Sequence, residues 1–243
     1  MAQTAPPDEI IVVDNASRDG TAEVAARYEA VRVLHEEKLG RVYARNRGFD
    51  AARGDIIVRT DADALVPPDW LERMARYYRE PTHARVALTG GGLFYNMRLA
   101  RVVSWAYALL VFRFNRLLVG YPTLWGSNMA LPRTMWQEVR RDVCLDNDIH
   151  EDLDLTMHLR RAGVAIVYDA ANPVRVEMRR VHTDRQALWP YLQMWPRTLR
   201  RHGYRYAWPI CWLIGAIGLY IVSPIPVMFE KFARLFGRQP LSD

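Results

Sequence analysis

Short apolar runs alternate with longer stretches of helical periodicity up to about residue 94 of the chain. EIIVVD (9–14) predicts a buried strand and GTAEVAARYEA a helix after it. VRVLH (31–35) predicts a second strand, and RVYARNRGFDAA a second helix stopped by Gly54. DIIVRTD (55–61) predicts a third strand, followed by a helix in PPDWLERMARYY that starts at Asp69 or the Pro67–Pro68 pair. RVALTG (85–90) predicts a fourth strand. Strands spaced by helices of this length imply crossover units and a mainly parallel sheet flanked by helices, an α/β fold. Such sheets bind ligands beyond the carboxyl ends of their strands. Asp14 and Asp61 fall at two of those ends and are expected to line one rim.

Beyond residue 94 the pattern changes. In RLARVVSWAYALLVFRFNRLLV (98–119), Arg98, Arg101, Arg113 and Arg116 fall within an arc of roughly 120° on a helical wheel, opposite a broad face of Leu, Val, Phe and Trp. Both an interfacial membrane helix and an ordinary helix packed on the sheet fit that profile. DNDIHEDLDLTMHLRRAG predicts a helix from His150, with Glu151, Asp152 and Asp154 in its first turn and Gly163 closing it. VAIVYD (164–169) predicts another strand, and 184–203 a helix interrupted by Pro190 and Pro196. Residues 207–229 contain no charge, and arginines and Lys231 flank them. Pro224 and Pro226 are expected to end that helix near Ser223, leaving roughly 25 Å, short for a bilayer. Its all-round apolarity favours a membrane-associated segment over a buried helix, without fixing an orientation. The expected division is a first domain over 1–183 and an Arg-rich, apolar C-terminal part over 184–243.

Composition narrows the partners. Of 243 residues half are apolar and a quarter charged, so a substantial core is expected and a disordered chain is excluded. All the basic residues except Lys38 and Lys231 are arginine, which suits phosphates and anionic headgroups because its planar fork binds two oxygens at once. No finger spacing, basic tail or aromatic-plus-basic motif points to nucleic acid. Cys144 and Cys211 form no CxxC pair, which argues against a disulfide framework and fits a reducing cytoplasmic setting.

The chemistry centres on RTDADALVPPDW (59–70). In an extended backbone Asp61 and Asp63 point the same way and both reach a cation held past the strand end. Two hard oxygen ligands suit Mg²⁺ or Mn²⁺. Alone, the stretch fits an Asx turn before a helix better. Its company changes the balance: VDNASRDGT, ARNRGFDAARGD, TDADA, GSNMALPR and HEDLDLTMHLRRAG occur in this order. Together, over roughly residues 6–183, they resemble the inverting glycosyltransferases of family 2, with a Rossmann-like GT-A fold.

That resemblance implies a role for each motif. Asp14 and Asn15 lie where the family reads the nucleotide base, although an acid is usual at the position of Asn15. Arg45 and Asn46 match a position near the nucleotide, and Asp61 also faces the donor. Asp61 and Asp63 match the metal motif, and His182 a less constant position at the metal or diphosphate. Gly126, Ser127 and Asn128 match the loop bordering donor sugar and acceptor. Glu151–Asp152 matches the ED motif, in which Asp152 is the catalytic base. The implied activity moves a sugar from a nucleoside diphosphate sugar to a lipid-linked or cell-envelope glycan acceptor. The implied setting is the cytoplasmic face of an anionic membrane, held peripherally or by one C-terminal segment. QMWPR (193–197) departs from the spacing of processive synthases and implies no processivity.

One departure is large. The family normally opens with a strand and helix before the VDD strand, and here the VDN strand follows Met1 almost directly. The expectation is an N-terminally truncated domain with exposed strand edges. The competing readings are a non-catalytic, membrane-associated member of the fold without competent donor binding, and a nucleotidyltransferase. The HED helix and GSNMA loop speak against the latter.

Overall fold

The computed structural model describes residues 3–95, 100–177 and 185–217, and the chain divides into two units, Met1–Glu177 and Met178–Asp243. In the first unit β1 (Ile10–Asp14) and β2 (Val31–His35) pair in parallel, Ile10 opposite Val31 through Asp14 opposite His35. A second, four-stranded sheet runs β3 (Ile56–Arg59), β5 (Met129–Pro132), β4 (Val86–Phe94), β6 (Ala165–Val176) in spatial order. β4 and β6 are parallel, but β5 is antiparallel to both neighbours, so the sheet is mixed rather than mainly parallel. The cause is the loop before β5. It delivers Met129 beside Arg59, at the carboxyl end of β3, so β5 starts at the rim and runs back against β3. Among the described strands, the second edges of β1 and β3 have no partner.

The helices of this unit are α1 (Thr21–Ala26), α2 (Arg41–Ala51), α3 (Trp70–Tyr78), α4 (Ala100–Ala108), α5 (Asn115–Val119), α6 (Arg133–Val139) and α7 (Glu151–Arg161). Between α4 and α5 the chain is π-helical over Leu109–Phe114. Asp69 precedes α3 without capping it, because its carboxylate pairs with Arg73 instead. The core lies between α2, α6, α7 and the four-stranded sheet, where Phe49, Ile57, Leu131, Trp136, Leu155 and Leu159 meet. Trp136 is fully buried and takes the ring of Phe49 edge-on at 5.3 Å. Burial on that scale holds α2 and α7 in fixed relation, and both carry site residues.

In the second unit α8 (Arg185–Arg201) runs through Pro190 and Pro196 rather than being interrupted by them. Each proline removes one backbone hydrogen bond, and the turns on either side continue the helix. α9 spans Ala207–Ile217, the first part of the long apolar run; residues 218–229 lie outside the described residues. Among the described residues no helix is long and apolar enough to cross a membrane.

Candidate active site

The site forms where the end of β3, the loop before β5 and the first turn of α7 converge, and the end of β1 carries the other expected residues, Asp14 and Asn15. Asp14 ends β1 and is buried. The Ser17 side chain, followed by His35 at 3.3 Å and the Ser17 N–H, holds its carboxyl below the usual range. Its neighbour Asn15 turns away. Its amide donates to the carbonyls of Glu36 (3.1 Å) and Lys38 (2.7 Å) and accepts from Gly40 N–H (2.8 Å). Asn15 therefore pins the loop between β2 and α2.

Arg45 is buried rather than lining an open cleft. It donates to the Glu151 carbonyl at 2.5 Å and to Asn46 Oδ1, and lies 5.7 Å from the Trp136 ring centre. Burial, followed by repulsion from Arg59, lowers its pKa to about 10. It is a strut between α2 and the start of α7.

Asp61 lies two residues past the end of β3 and opens a turn closed by Ala64 N–H on its carbonyl at 3.1 Å. Strand alternation therefore does not set the direction of Asp63, which sits half-buried in that turn. The Asp61 side chain is 45% exposed at the rim and accepts the Ser127 hydroxyl. Two carboxylates in one turn are a hard oxygen donor set of the kind that suits a divalent cation. His182 lies outside the described residues.

Both oxygens of Asp152 are held. Oδ2 accepts Gly126 N–H at 2.8 Å, and Oδ1 accepts Arg59 Nη1 at 2.6 Å. The same guanidinium reaches Glu151 Oε1 at 3.5 Å and Asp61 Oδ1 at 3.9 Å. Arg41 Nε approaches the other oxygen of Glu151 at 3.4 Å. Burial of Glu151 opposes its charge, but His150, Arg41 and Arg59 outweigh it and hold the carboxyl below its ordinary value. Burial alone would destabilise the Arg59 cation, yet Asp152, Glu151 and Asp61 make it harder to deprotonate than a free guanidinium. Gly126 is required by close approach: a Cβ there would meet Asp152 Oδ2 at 2.6 Å and Arg59 Cζ at 2.7 Å.

Arg59 and Arg41 are the functional residues that reading the sequence missed. The available signal was a charge inside the apolar run DIIVRTD, two residues before Asp61. Asn128, expected on the substrate loop, is fully buried instead. It accepts Trp70 Nε1–H (3.0 Å) and donates to the carbonyls of Gly91 (3.2 Å) and Asn172 (2.8 Å). Asn128→Ala strands these groups and lowers the unfolding free energy by about 3 kcal/mol. A shifted urea midpoint at unchanged slope reads that loss. Lost activity with an unmoved midpoint would return Asn128 to the substrate loop.

Known proteins resemble the chain in sequence and in fold. The chain is 39% identical over 79 residues to the glycosyltransferase AglE of Haloferax volcanii, an overlap of 30% of this chain and 26% of that protein. It is 26% identical over 163 residues to the cholesterol galactosyltransferase of Borreliella burgdorferi, covering 61% of this chain and 44% of that one. The chain thus spans less than half the length of either relative. The fold matches the mannosyltransferase PcManGT of Pyrobaculum calidifontis, solved with GDP-Man and Mn²⁺, at a TM-score of 0.61 and 19% identity over 98% of this chain and 74% of that one. That likeness establishes a GT-A fold, α/β with a mixed sheet between helices. The sequence model described as Glycosyl transferase family 2 matches residues 1–139, more than half of the chain, and the chain belongs to that family.

Proposed function

We propose that the chain carries the catalytic site of a metal-dependent, inverting glycosyltransferase. It moves a hexosyl group from a nucleoside diphosphate sugar to a lipid-linked or cell-envelope glycan hydroxyl at the cytoplasmic face of the membrane. The observation that carries the reading is the grip on Asp152: Gly126 N–H and Arg59 fix both its oxygens, and Arg59 also approaches Asp61. One carboxylate is thereby aimed beside a turn suited to a metal diphosphate. Asp152 takes the acceptor hydroxyl proton as that oxygen bonds to the anomeric carbon. The bond from that carbon to the diphosphate oxygen breaks, and its electron pair leaves with the nucleoside diphosphate. A single displacement of this kind inverts the anomeric centre and needs no covalent intermediate. Mg²⁺ or Mn²⁺ held by Asp61 and Asp63 supplies positive charge to the departing diphosphate when bound. The Mn²⁺ and GDP-Man in the Pyrobaculum structure support the donor and metal, and the cholesterol acceptor in the Borreliella enzyme's name supports a lipid acceptor.

The test incubates the chain with a panel of nucleoside diphosphate sugars, Mn²⁺ or Mg²⁺, and lipid-linked acceptors. Release of nucleoside diphosphate is expected, with loss in EDTA and a fall of about a hundredfold in Asp61→Ala. Release that EDTA and Asp61→Ala both leave unchanged would remove the metal from the reading.

One observation favours a second reading, a non-catalytic member of the fold. Beside Asp14 the edge of β1 has no partner strand among the described residues, and the Asn15 amide is committed to backbone groups. Calorimetry that finds micromolar donor binding by this chain would set that reading aside.

A further inference from the structure

The helical segment from Ala100 to Val119, comprising α4, the π-helical stretch and α5, is fastened to the sheet by one face. Phe94 N–H donates to Ser104 Oγ at 2.8 Å, and Tyr107 meets the Phe94 ring edge-on at 5.2 Å. Phe112 packs against Tyr168 at 4.6 Å and Trp125 at 6.4 Å. The outward face is not arginine alone: on an ideal helical wheel apolar residues also fall inside the arginine arc. Val102, Trp105 and Leu109 lie there as one stripe at three- and four-residue spacing, 58%, 67% and 42% exposed. Arg101, Arg113 and Arg116 are exposed along the same segment, with Leu117 at 81% beside them.

A tryptophan two-thirds exposed between two exposed aliphatics is a poor surface for water. Along the sequence the charge is one-sided. From Pro81 to Gln137 the sequence holds six arginines and no Asp or Glu, so nothing in this stretch repels an anionic phosphate. Apolar side chains at the centre of the stripe and guanidinium groups along it match the boundary between acyl chains and anionic headgroups. A nucleic acid would leave that apolar centre without a partner.

We infer that this outward stripe docks on an anionic lipid surface, with Trp105, Val102 and Leu109 entering the headgroup–acyl boundary and Arg101, Arg113 and Arg116 on lipid phosphates. The segment lies on the membrane and does not cross it. The consequence for catalysis rests on the proposed glycosyl transfer. The face opposite the stripe touches Trp125 through Tyr107 and Phe112, and the next residue, Gly126, holds Asp152. Docking therefore brings the base close to the bilayer, where a lipid-linked hydroxyl is presented.

The experiment floats the full chain with phosphatidylcholine vesicles, with and without phosphatidylglycerol, at low and high salt. Wild type is compared with Trp105→Asp and with Arg113→Gln/Arg116→Gln. Every variant retains the apolar run after residue 206, so differences report the stripe alone. Binding is expected to require phosphatidylglycerol and to fall with salt. The double arginine variant should lose about 30-fold in affinity and Trp105→Asp at least as much, with unchanged circular dichroism. Variants that bind like wild type, or binding indifferent to lipid charge and salt, would overturn the docking surface. So would capture of RNA, but not of vesicles, by the same stripe. Nucleoside diphosphate release to a soluble acceptor, measured without vesicles, separates the two proposals. Docking without release defeats only the catalytic reading, and release without docking defeats only this one.

Discussion

Asp152→Asn slows acceptor-dependent release of nucleoside diphosphate by about a thousandfold, the middle of the range that one positioned base contributes. The amide is nearly the same size, so donor affinity and Asp61 are left in place. What changes is chemistry at two atoms. Gly126 N–H and Arg59 Nη1 are both donors, and each faces one oxygen of Asp152. Asparagine offers one oxygen and one NH₂, so one of the two must face another donor. The variant therefore loses the proton acceptor and also about 1–3 kcal/mol of stability. Assays well below the variant's own unfolding temperature keep those effects apart. Donor affinity by calorimetry should change little, because the base acts on the acceptor and not on the diphosphate. Release as fast as wild type with acceptor present would show that another group takes the proton.

Much of this was legible in the sequence, for identifiable reasons. β1 and β2 were readable because IIVVD and VRVLH are compact apolar runs, and α7 because acids open it and Gly163 closes it. β5 was not readable. MALP is four residues long, and its antiparallel direction follows from where the preceding loop delivers the chain. The residue types of the site were also visible, but their partners were not. Arg59 and Asp152 are 93 positions apart, and no local pattern announces that contact. Asn15, Arg45 and Asn128 were expected to face ligand because the resemblance places their motifs at the donor or acceptor. Instead each spends its hydrogen bonds on backbone or neighbouring side chains, and Arg45 thereby braces the first turn of α7, which carries Asp152. The outward stripe of 100–119 was legible on a wheel drawn at 100° per residue, where Val102, Trp105 and Leu109 fall inside the arginine arc, but the broad apolar face opposite the arginines drew the reading away from it.

Arg59→Met destabilises the protein by about 3–5 kcal/mol at neutral pH, because it leaves two buried carboxylates without their shared cation. The methionine fills most of the same volume, so the loss is electrostatic more than steric. Glu151 and Asp152 are both nearly buried, with side chains 6% exposed, and of the side chains that pair with the two carboxylates Arg41 remains, on Glu151. The sign of the pH dependence follows from Glu151. Its folded pKa lies below the ordinary 4.5, so the stability it contributes is present above that value and is lost as pH falls through the folded pKa. Removing Arg59 shrinks that depression. The gap between wild type and variant is therefore widest above 4.5 and narrows as the carboxylates take up protons. Urea unfolding of both proteins at pH 7.5 and near pH 4 measures the two gaps. A gap of equal size at both values would assign the loss to packing, and no gap at neutral pH would remove Arg59 from the electrostatic frame. Below its unfolding temperature the variant should also turn over about a hundredfold more slowly, since Asp152 then keeps only the Gly126 N–H to aim it. Guanidinium added in solution is small enough to enter the space beyond the methionine. Partial recovery of rate with guanidinium, and none with added ammonium, would show that the planar fork itself holds the base in position.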